Sequence, residues 1–285
     1  MRGAECSWKA FADDFKICSS VATGTDMRAE ALQRDLTRML GQCEAHNLVL
    51  NREKSVIMRI GNKVGSPNPV YTLGSHSMVV VDSYKDLGVA IDNKLKFHEH
   101  ARMTVGKAGG LQSELLRSTV CRAPAFMVSL FVSHIRPIID YCSCVWNVGY
   151  RQDLVLLESL QRRWTREILG MAHLPYEDRL REVGLYSVAR RLKRLDLIKV
   201  WKSFNSLAET GLASLFDRAT YDATRGHSFK LCVPRVRMEL GRRSFAARCV
   251  TLWNSLPSEV VESTSLDSFK RGLDRQLGDQ LYQTY

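Results

Sequence analysis

Apolar positions change their spacing near residue 95. Up to about Asp92 they come in short runs set between turn formers, and from Phe97 onward they recur every three or four residues. In the first stretch, Trp8, Ala10 and Ala12 lead into Asp13-Asp14, and Phe15, Ile17 and Cys18 lead out. That pattern predicts a strand, a tight turn and a second strand. Thr23-Gly24-Thr25-Asp26 then offers capping side chains to a helix carrying Leu32, Leu36, Met39 and Cys43 at helical spacing. Ser55 to Ile60 and Met78 to Val81 read as β segments, with Pro67 and Pro69 in the connection between them.

Beyond Phe97 the pattern is helical. Phe97 to Val120 predicts one helix, weakened at Gly109-Gly110. The most apolar stretch, Ala123 to Trp146, is interrupted by His134, Arg136, Pro137 and Asp140. It reads as a buried helix pair rather than a membrane span. Asp153 to Leu169 sets Leu157, Leu160, Trp164 and Ile168 on one face. Leu185 to Phe204 carries Leu185, Val188, Leu192, Leu195, Ile198 and Trp201 on one side, and Arg190, Arg191, Lys193, Arg194, Lys199 and Lys202 on the other. Thr210 to Leu240 is irregular and basic, and a last helical pair surrounds Trp253 and Phe269. The expected fold is α+β, with an α/β part over 1–95 and a helical part over 96–285.

Composition narrows the classes. The chain has 285 residues, 45% hydrophobic and 8% aromatic, which excludes a disordered polymer over most of its length. Lys and Arg number 41 against 30 Asp and Glu, a net charge of +11. Such a surplus favours polyanionic partners, because each cation placed on a phosphate releases condensed counterions. Membrane surfaces are polyanionic too, so charge alone does not choose between them. The N-terminal residues have no apolar core of a signal peptide, and no stretch is apolar enough to span a bilayer. Eight scattered cysteines, with only Cys142 and Cys144 close together, fit reduced thiols rather than a zinc site. An intracellular location, nucleus or cytoplasm, is expected. His98 and His100 lie two apart, on different faces of a helix, which argues against a shared metal.

The sharpest chemical signal is Phe11-Ala12-Asp13-Asp14. Neighbouring side chains on a strand point to opposite faces, so two adjacent carboxylates serve one site only where the backbone turns. Held close they repel, unless a cation intervenes. A divalent metal answers that repulsion, and two-metal phosphoryl transfer uses such oxygen ligands. On its own the pair is also an ordinary turn, since Asp tolerates turn geometry.

Other residues give the pair company. Phe-Ala-Asp-Asp resembles the aromatic-Ala-Asp-Asp box of reverse transcriptases. Leu48-Val49-Leu50-Asn51-Arg52-Glu53-Lys54 resembles the next palm motif of LINE-type (non-LTR, jockey-like) retrotransposon enzymes, and Tyr84-Lys85-Asp86-Leu87-Gly88-Val89 the one after it. Leu252-Trp253-Asn254-Ser255-Leu256-Pro257, Val260-Val261 and Ser265 to Lys270 are similar to the terminal segment of that group. Order and spacing across nearly the whole chain carry the resemblance. It implies the end of a palm sheet bearing the Asp hairpin, then a helical thumb and C-terminal region. It implies Asp13 and Asp14 as ligands of Mg2+, with RNA template, DNA primer and deoxynucleotide triphosphates as partners. Lys54 would protonate the leaving pyrophosphate or steady the triphosphate, and Tyr84, Lys85 and Gly88 would grip the primer. Arg190, Arg191 and Arg194 on one helix, and Arg242 and Arg243 within a cluster that includes Arg235, Arg237 and Arg248, are candidate phosphate contacts. Each has a plainer reading: Lys54 a solvated lysine, Tyr84 to Val89 a simple turn, the basic faces solvated surface, and Trp253 a core residue.

The pattern also has gaps. The family places a further catalytic Asp many tens of residues before the pair, and only ten residues precede Phe11. That carboxylate and the fingers are therefore expected to lie outside this sequence, and the chain alone is expected to be inactive as a polymerase. Where relatives carry Trp, Gln42 stands, which predicts a lost core contact. Missing palm strands predict an open sheet edge and exposed apolar surface. The alternative function is a non-catalytic basic nucleic-acid-binding module or a transposon relic.

Overall fold

A computed structural model describes residues 5–20, 27–61, 69–205, 211–219 and 226–283. The chain is a mixture of helix (55%) and small sheets (12% strand). It divides into two compact units, Met1–Lys85 with Asp92–Leu95, and Asp86–Ile91 with Lys96–Tyr285.

In the first unit, β1 (Ser7–Phe11) and β2 (Asp14–Cys18) form an antiparallel hairpin in which Phe11 faces Asp14. Helix α1 (Met27–Ala45) buries Leu36, Met39 and Cys43 against Tyr71 and Leu73. The capping residues expected at Thr23 to Asp26 lie outside the described residues, as does Pro67. Gln42 is exposed, so the large contact expected to be lost there is absent: the buried stripe of α1 runs through Met39 and Cys43 and misses position 42. The remaining strands are short. β3 (Val56–Met58) pairs in parallel with β6 (Val79–Val81) and β4 (Thr72–Leu73) antiparallel with β5 (His76–Ser77); β7 (Ser83–Asp86) and β8 (Val89–Asp92) form a further two-stranded sheet, of which Asp86–Ile91 counts with the second unit. One partial sheet was the expectation, whereas the described strands form four separate two-stranded sheets. Ladders of only two to five residue pairs, each closed by a turn or coil, do not extend one another. Val79 and Val80 are 60% and 50% exposed, so β6 offers apolar side chains that nothing described covers.

The second unit is built on α8 (Val188–Phe204). Helix α2 (His98–Ser118) packs against α6 (Arg151–Arg166). The Gly109 that lowers helix propensity sits at that crossing, where a Cβ would lie 3.5 Å from Leu160. The apolar stretch expected to be a helix pair is instead one continuous rod followed by the single-turn α5 (Ser143–Trp146): α3 (Pro124–Leu130), a π segment (Phe131–Ile135) and α4 (Arg136–Asp140). Pro137 supplies the reason. It lacks an N–H and crowds the preceding turn, so the helix widens there rather than breaking. Helix α7 (Tyr176–Val183) ends on Gly184, left-handed at φ 64.

The C-terminal elements are α9 (Glu239–Arg243), α10 (Phe245–Asn254), α11 (Ser258–Val261) and α12 (Leu266–Leu277). Helices α10 and α12 close on α8 through aromatic rings. Phe269 stacks on Trp201 at 5.5 Å and tilts against Trp253 at 6.2 Å. All three are almost fully buried, and the Trp253 indole donates to the Phe229 carbonyl. Trp253 is thus a core residue.

The start of α8 rests on a buried acid. Glu158 of α6 accepts the Val188 N–H at 2.9 Å and the Tyr176 hydroxyl at 2.5 Å. Burial raises its carboxyl above the usual range, although those donors pull it back.

Phe269→Ala removes the ring that joins α12 to α8 and is expected to destabilise the second unit by about 3–5 kcal/mol, read as a lowered denaturant midpoint. The raised Glu158 carboxyl also has a pH signature. The folded state keeps that proton to higher pH than the unfolded chain, so the contribution is complete below the ordinary carboxylate value and is lost as pH rises through the folded one. In unfolding free energies measured from pH 4 to 8, Glu158→Gln is expected to improve relative to the parent as pH rises. A difference that does not move with pH would count against this account.

Candidate functional site

The Asp pair stands where the hairpin reverses. Ala12 takes φ 52, Asp13 occupies the turn and Asp14 opens β2 opposite Phe11. Both carboxylates are exposed, as is Phe11 at 65%. The hairpin's base is fixed to α1. Asp35, fully buried, accepts the backbone N–H groups of Glu5 at 2.9 Å and Cys6 at 2.7 Å and pairs with Arg38 at 2.6 Å. The adjacent Arg34 forks onto Glu5 at 2.9 and 2.7 Å. This anchor was missed in the sequence, where its signal was an acid beside the apolar stripe of a helix. Gln33 does similar work for β4: its amide donates to the Thr72 carbonyl and accepts the Thr72 N–H, both at 2.9 Å.

Asp13 and Asp14 are hard oxygen donors of the kind magnesium takes alongside water and phosphate oxygens. Among the described residues, no group of three or more His, Cys, Asp or Glu side chains is placed to hold a metal. Two carboxylates at an open tip can contribute to one ion, and they do not by themselves fix two.

Lys54 ends a short turn that Asn51 builds. The Asn51 side chain accepts the Lys54 N–H at 3.0 Å, and the Ser55 hydroxyl donates to the Asn51 carbonyl at 2.9 Å. The asparagine of the leucine-asparagine-lysine box therefore has a turn-forming job, while the Lys54 side chain is exposed.

Tyr84 and Lys85 lie exposed on β7. The following turn has Leu87 at φ 45 and Gly88 at φ 84, a conformation in which glycine is at ease at the second position. Tyr141 explains why that position is tight: its hydroxyl donates to the Leu87 carbonyl at 2.8 Å, and a Cβ on Gly88 would meet its ring at 3.3 Å. His98 and His100, two apart, go to different partners. His98 meets Asp153 at 2.8 Å, and His100 takes the Ala90 N–H at 3.2 Å.

The candidate arginines separate into two groups. Arg191 forks onto Asp140, tying α8 to α4, and Arg194 forks onto Asp274 at 2.5 and 2.8 Å, tying α8 to α12. Arg243 forks onto Glu239 at 3.0 and 2.7 Å, donates to the Val148 and Gly149 carbonyls and lies 4.4 Å over the Tyr150 ring. Arg248 pairs with the nearly buried Asp196 at 2.8 Å. The charge of these four is answered within the protein. Among the described residues, Arg190, Arg235, Arg237 and Arg242 have no carboxylate partner. Periodicity shows which side of a helix is basic, but an ion pair to a residue some 50 or 80 positions away leaves no trace in it.

No protein-family model, curated protein or solved structure matches the chain.

Asp35→Ala is expected to free the hairpin's base. Hydrogen bonds to a carboxylate are worth about 1.5–3 kcal/mol, so amide exchange at Glu5 and Cys6 should accelerate by about tenfold or more. Unchanged protection at both amides would remove Asp35 from that role.

Proposed function

We propose that this chain is the C-terminal part of an RNA-directed DNA polymerase of a non-LTR retrotransposon, with its first unit the end of the palm and its second the thumb and C-terminal region. One observation carries the reading: Phe11-Ala12-Asp13-Asp14 spans the reversal of an antiparallel hairpin, the only local geometry that offers two adjacent carboxylates to one site. The order of the later motifs, Asn51 to Lys54 and then Tyr84 to Val89, supports it.

In that role Asp13 and Asp14 would contribute carboxylate oxygens to a magnesium ion, which when bound would neutralise phosphate charge. Asp35 and Arg34 set where the hairpin projects. Lys54, exposed at the end of the Asn51 turn, would steady a triphosphate or give its proton to the leaving pyrophosphate. Tyr84 and Lys85, on the hairpin whose turn carries Gly88, take the primer backbone. The nucleic-acid partners are an RNA template and a DNA primer, met in the nucleus or cytoplasm. No helix among the described residues is long and apolar enough to cross a membrane.

A second reading, a basic nucleic-acid-binding module with an idle Asp pair or the relic of a transposon, is favoured by one fact: the pair is exposed and joined by no third metal-binding side chain among the described residues. Both readings leave this chain inactive alone, and they divide on whether a longer protein carrying the further Asp and the fingers is a polymerase. Primer extension on a primed RNA with magnesium is expected to be absent for the 285-residue chain. RNA and DNA binding should be present, steeply salt-dependent and unaffected by Asp13→Ala/Asp14→Ala. Extension abolished by Asp13→Ala would overturn the expected inactivity, and no binding at low salt would overturn the polymerase and binding-module readings and leave the relic.

A further inference from the structure

The four arginines whose charge the protein answers, and those whose charge it leaves open, are not mixed at random. Residues 233–237, between the Arg218–Leu231 bridge and α9, carry no helical or strand hydrogen bonding. Together with α9 and α10 they enclose a groove of about 790 Å3. Arg235, Arg237, Arg242 and Arg248 line it, and no acidic side chain is among the described residues that do. Arg248 is spoken for by Asp196, while Arg235, Arg237 and Arg242 are exposed and have no carboxylate partner among the described residues.

The groove has fixed walls. At its start, Asn254 accepts the Leu231 N–H at 2.9 Å and donates to the Leu231 carbonyl at 2.8 Å, and the Cys232 N–H donates to the Asp217 carbonyl. Farther along, Gly241 lets Val236 lie against α9, where an added Cβ would stand 3.2 Å from it. Arg248 closes the side by donating to the carbonyls of Cys144 and Arg243 as well as to Asp196. Val236 is half-buried between exposed Arg235 and Arg237, so the two guanidiniums share the open side. Residues two apart on an extended chain are about 6.6 Å apart, close to the separation of consecutive phosphates along a nucleic-acid strand.

We propose that this groove holds the phosphodiester backbone of a nucleic-acid strand through Arg235, Arg237 and Arg242. The proposal rests on the nucleic-acid-binding reading above and names where that binding occurs: on the C-terminal segment rather than on the basic side of α8, whose Arg191 and Arg194 are already paired. Among the described residues no aromatic ring lines the groove, so its contacts are to phosphates and indifferent to base identity. A concave cationic channel suits a strand that can enter it. A flat bilayer would meet only its rim.

The test is fluorescence anisotropy with a mixed-sequence single-stranded RNA and the same sequence as DNA, over a salt series. Arg235→Gln/Arg237→Gln/Arg242→Gln is compared with the intact chain and with Arg117→Gln/Arg163→Gln/Arg166→Gln, which removes equal charge from exposed helix faces elsewhere. At about 0.7 per phosphate contact on a single strand, the groove triple should flatten the slope of log K against log salt by about 2, and the control triple should leave it nearly unchanged. The Lys triple at the same three positions should keep most of the slope, because point charges suffice on phosphates. If the intact chain binds but the two Gln triples are equal, the groove is not the site and the nucleic-acid reading stands. If the intact chain binds neither nucleic acid at low salt, both fall. Groove-dependent binding to vesicles containing phosphatidylserine, without binding to RNA or DNA, would also overturn the proposal.

Discussion

Helix α8 is covered along much of its length, and the second unit is arranged around the charges that this cover meets. Val188, Leu192, Leu197, Val200 and Trp201 are buried, so the helix packs on more than one side. Three of its charged residues find partners on the helices that cover it, while Lys193 and Lys199 stay exposed. Arg191 takes Asp140, Arg194 takes Asp274, and Asp196 receives Arg248. Burial pushes the Asp196 carboxyl above its usual range, and Arg248 pulls it back. Such pairs add little net stability over a well-packed apolar contact, yet removing Arg248 would cost about 3–5 kcal/mol because Asp196 is left buried and uncompensated. Their effect is on specificity. Each fixes the rotation of α8 against a different neighbour, which an aromatic core of Trp201, Trp253 and Phe269 does not do alone.

The first unit meets its lack of sheet with side chains. Its ladders are too short to supply one another's backbone partners, so Gln33 stands in for a strand at Thr72 and Asp35 receives the N–H groups of Glu5 and Cys6. Both sit on α1, one turn or less apart. The helix thereby sets the positions of both the Asp hairpin and β4, while the hydrophobic contact of Leu36, Met39 and Cys43 supplies the attraction.

What was legible in the sequence follows from range. The 3.6-residue period places α2, α6 and α8 within a few residues of their observed ends, because it reports one side of burial directly. Asp13-Asp14 between alternating apolar residues reads as a hairpin for the same local reason. Three things were not legible. The π widening before Pro137 replaces a break with a continuous rod. Burial of Asp35 and Glu158 depends on donors up to 30 residues away. The sorting of arginines depends on carboxylates as far off as Asp274, 80 residues from Arg194. A basic stripe on a helical wheel therefore records where charge can be placed, without saying whether the protein has already answered it.

That sorting changes how the net charge of +11 is to be understood. Arginines that fork onto carboxylates contribute little to the field beyond their own pair, since the two charges cancel within a few ångströms and salt screens what is left. Attraction of a polyanion therefore depends on the unpaired cations and on how closely they are spaced, not on the total. Arg191, Arg194, Arg243 and Arg248 have been drawn into the architecture, and Arg235, Arg237 and Arg242 are gathered on one short segment beside them. The two roles are physically linked: Arg248 pairs with Asp196 at the back of the same groove that the unpaired arginines line. The interaction that orients α10 on α8 thus also fixes one wall of the cationic surface, so the packing of the core and the field presented to solvent share a single residue.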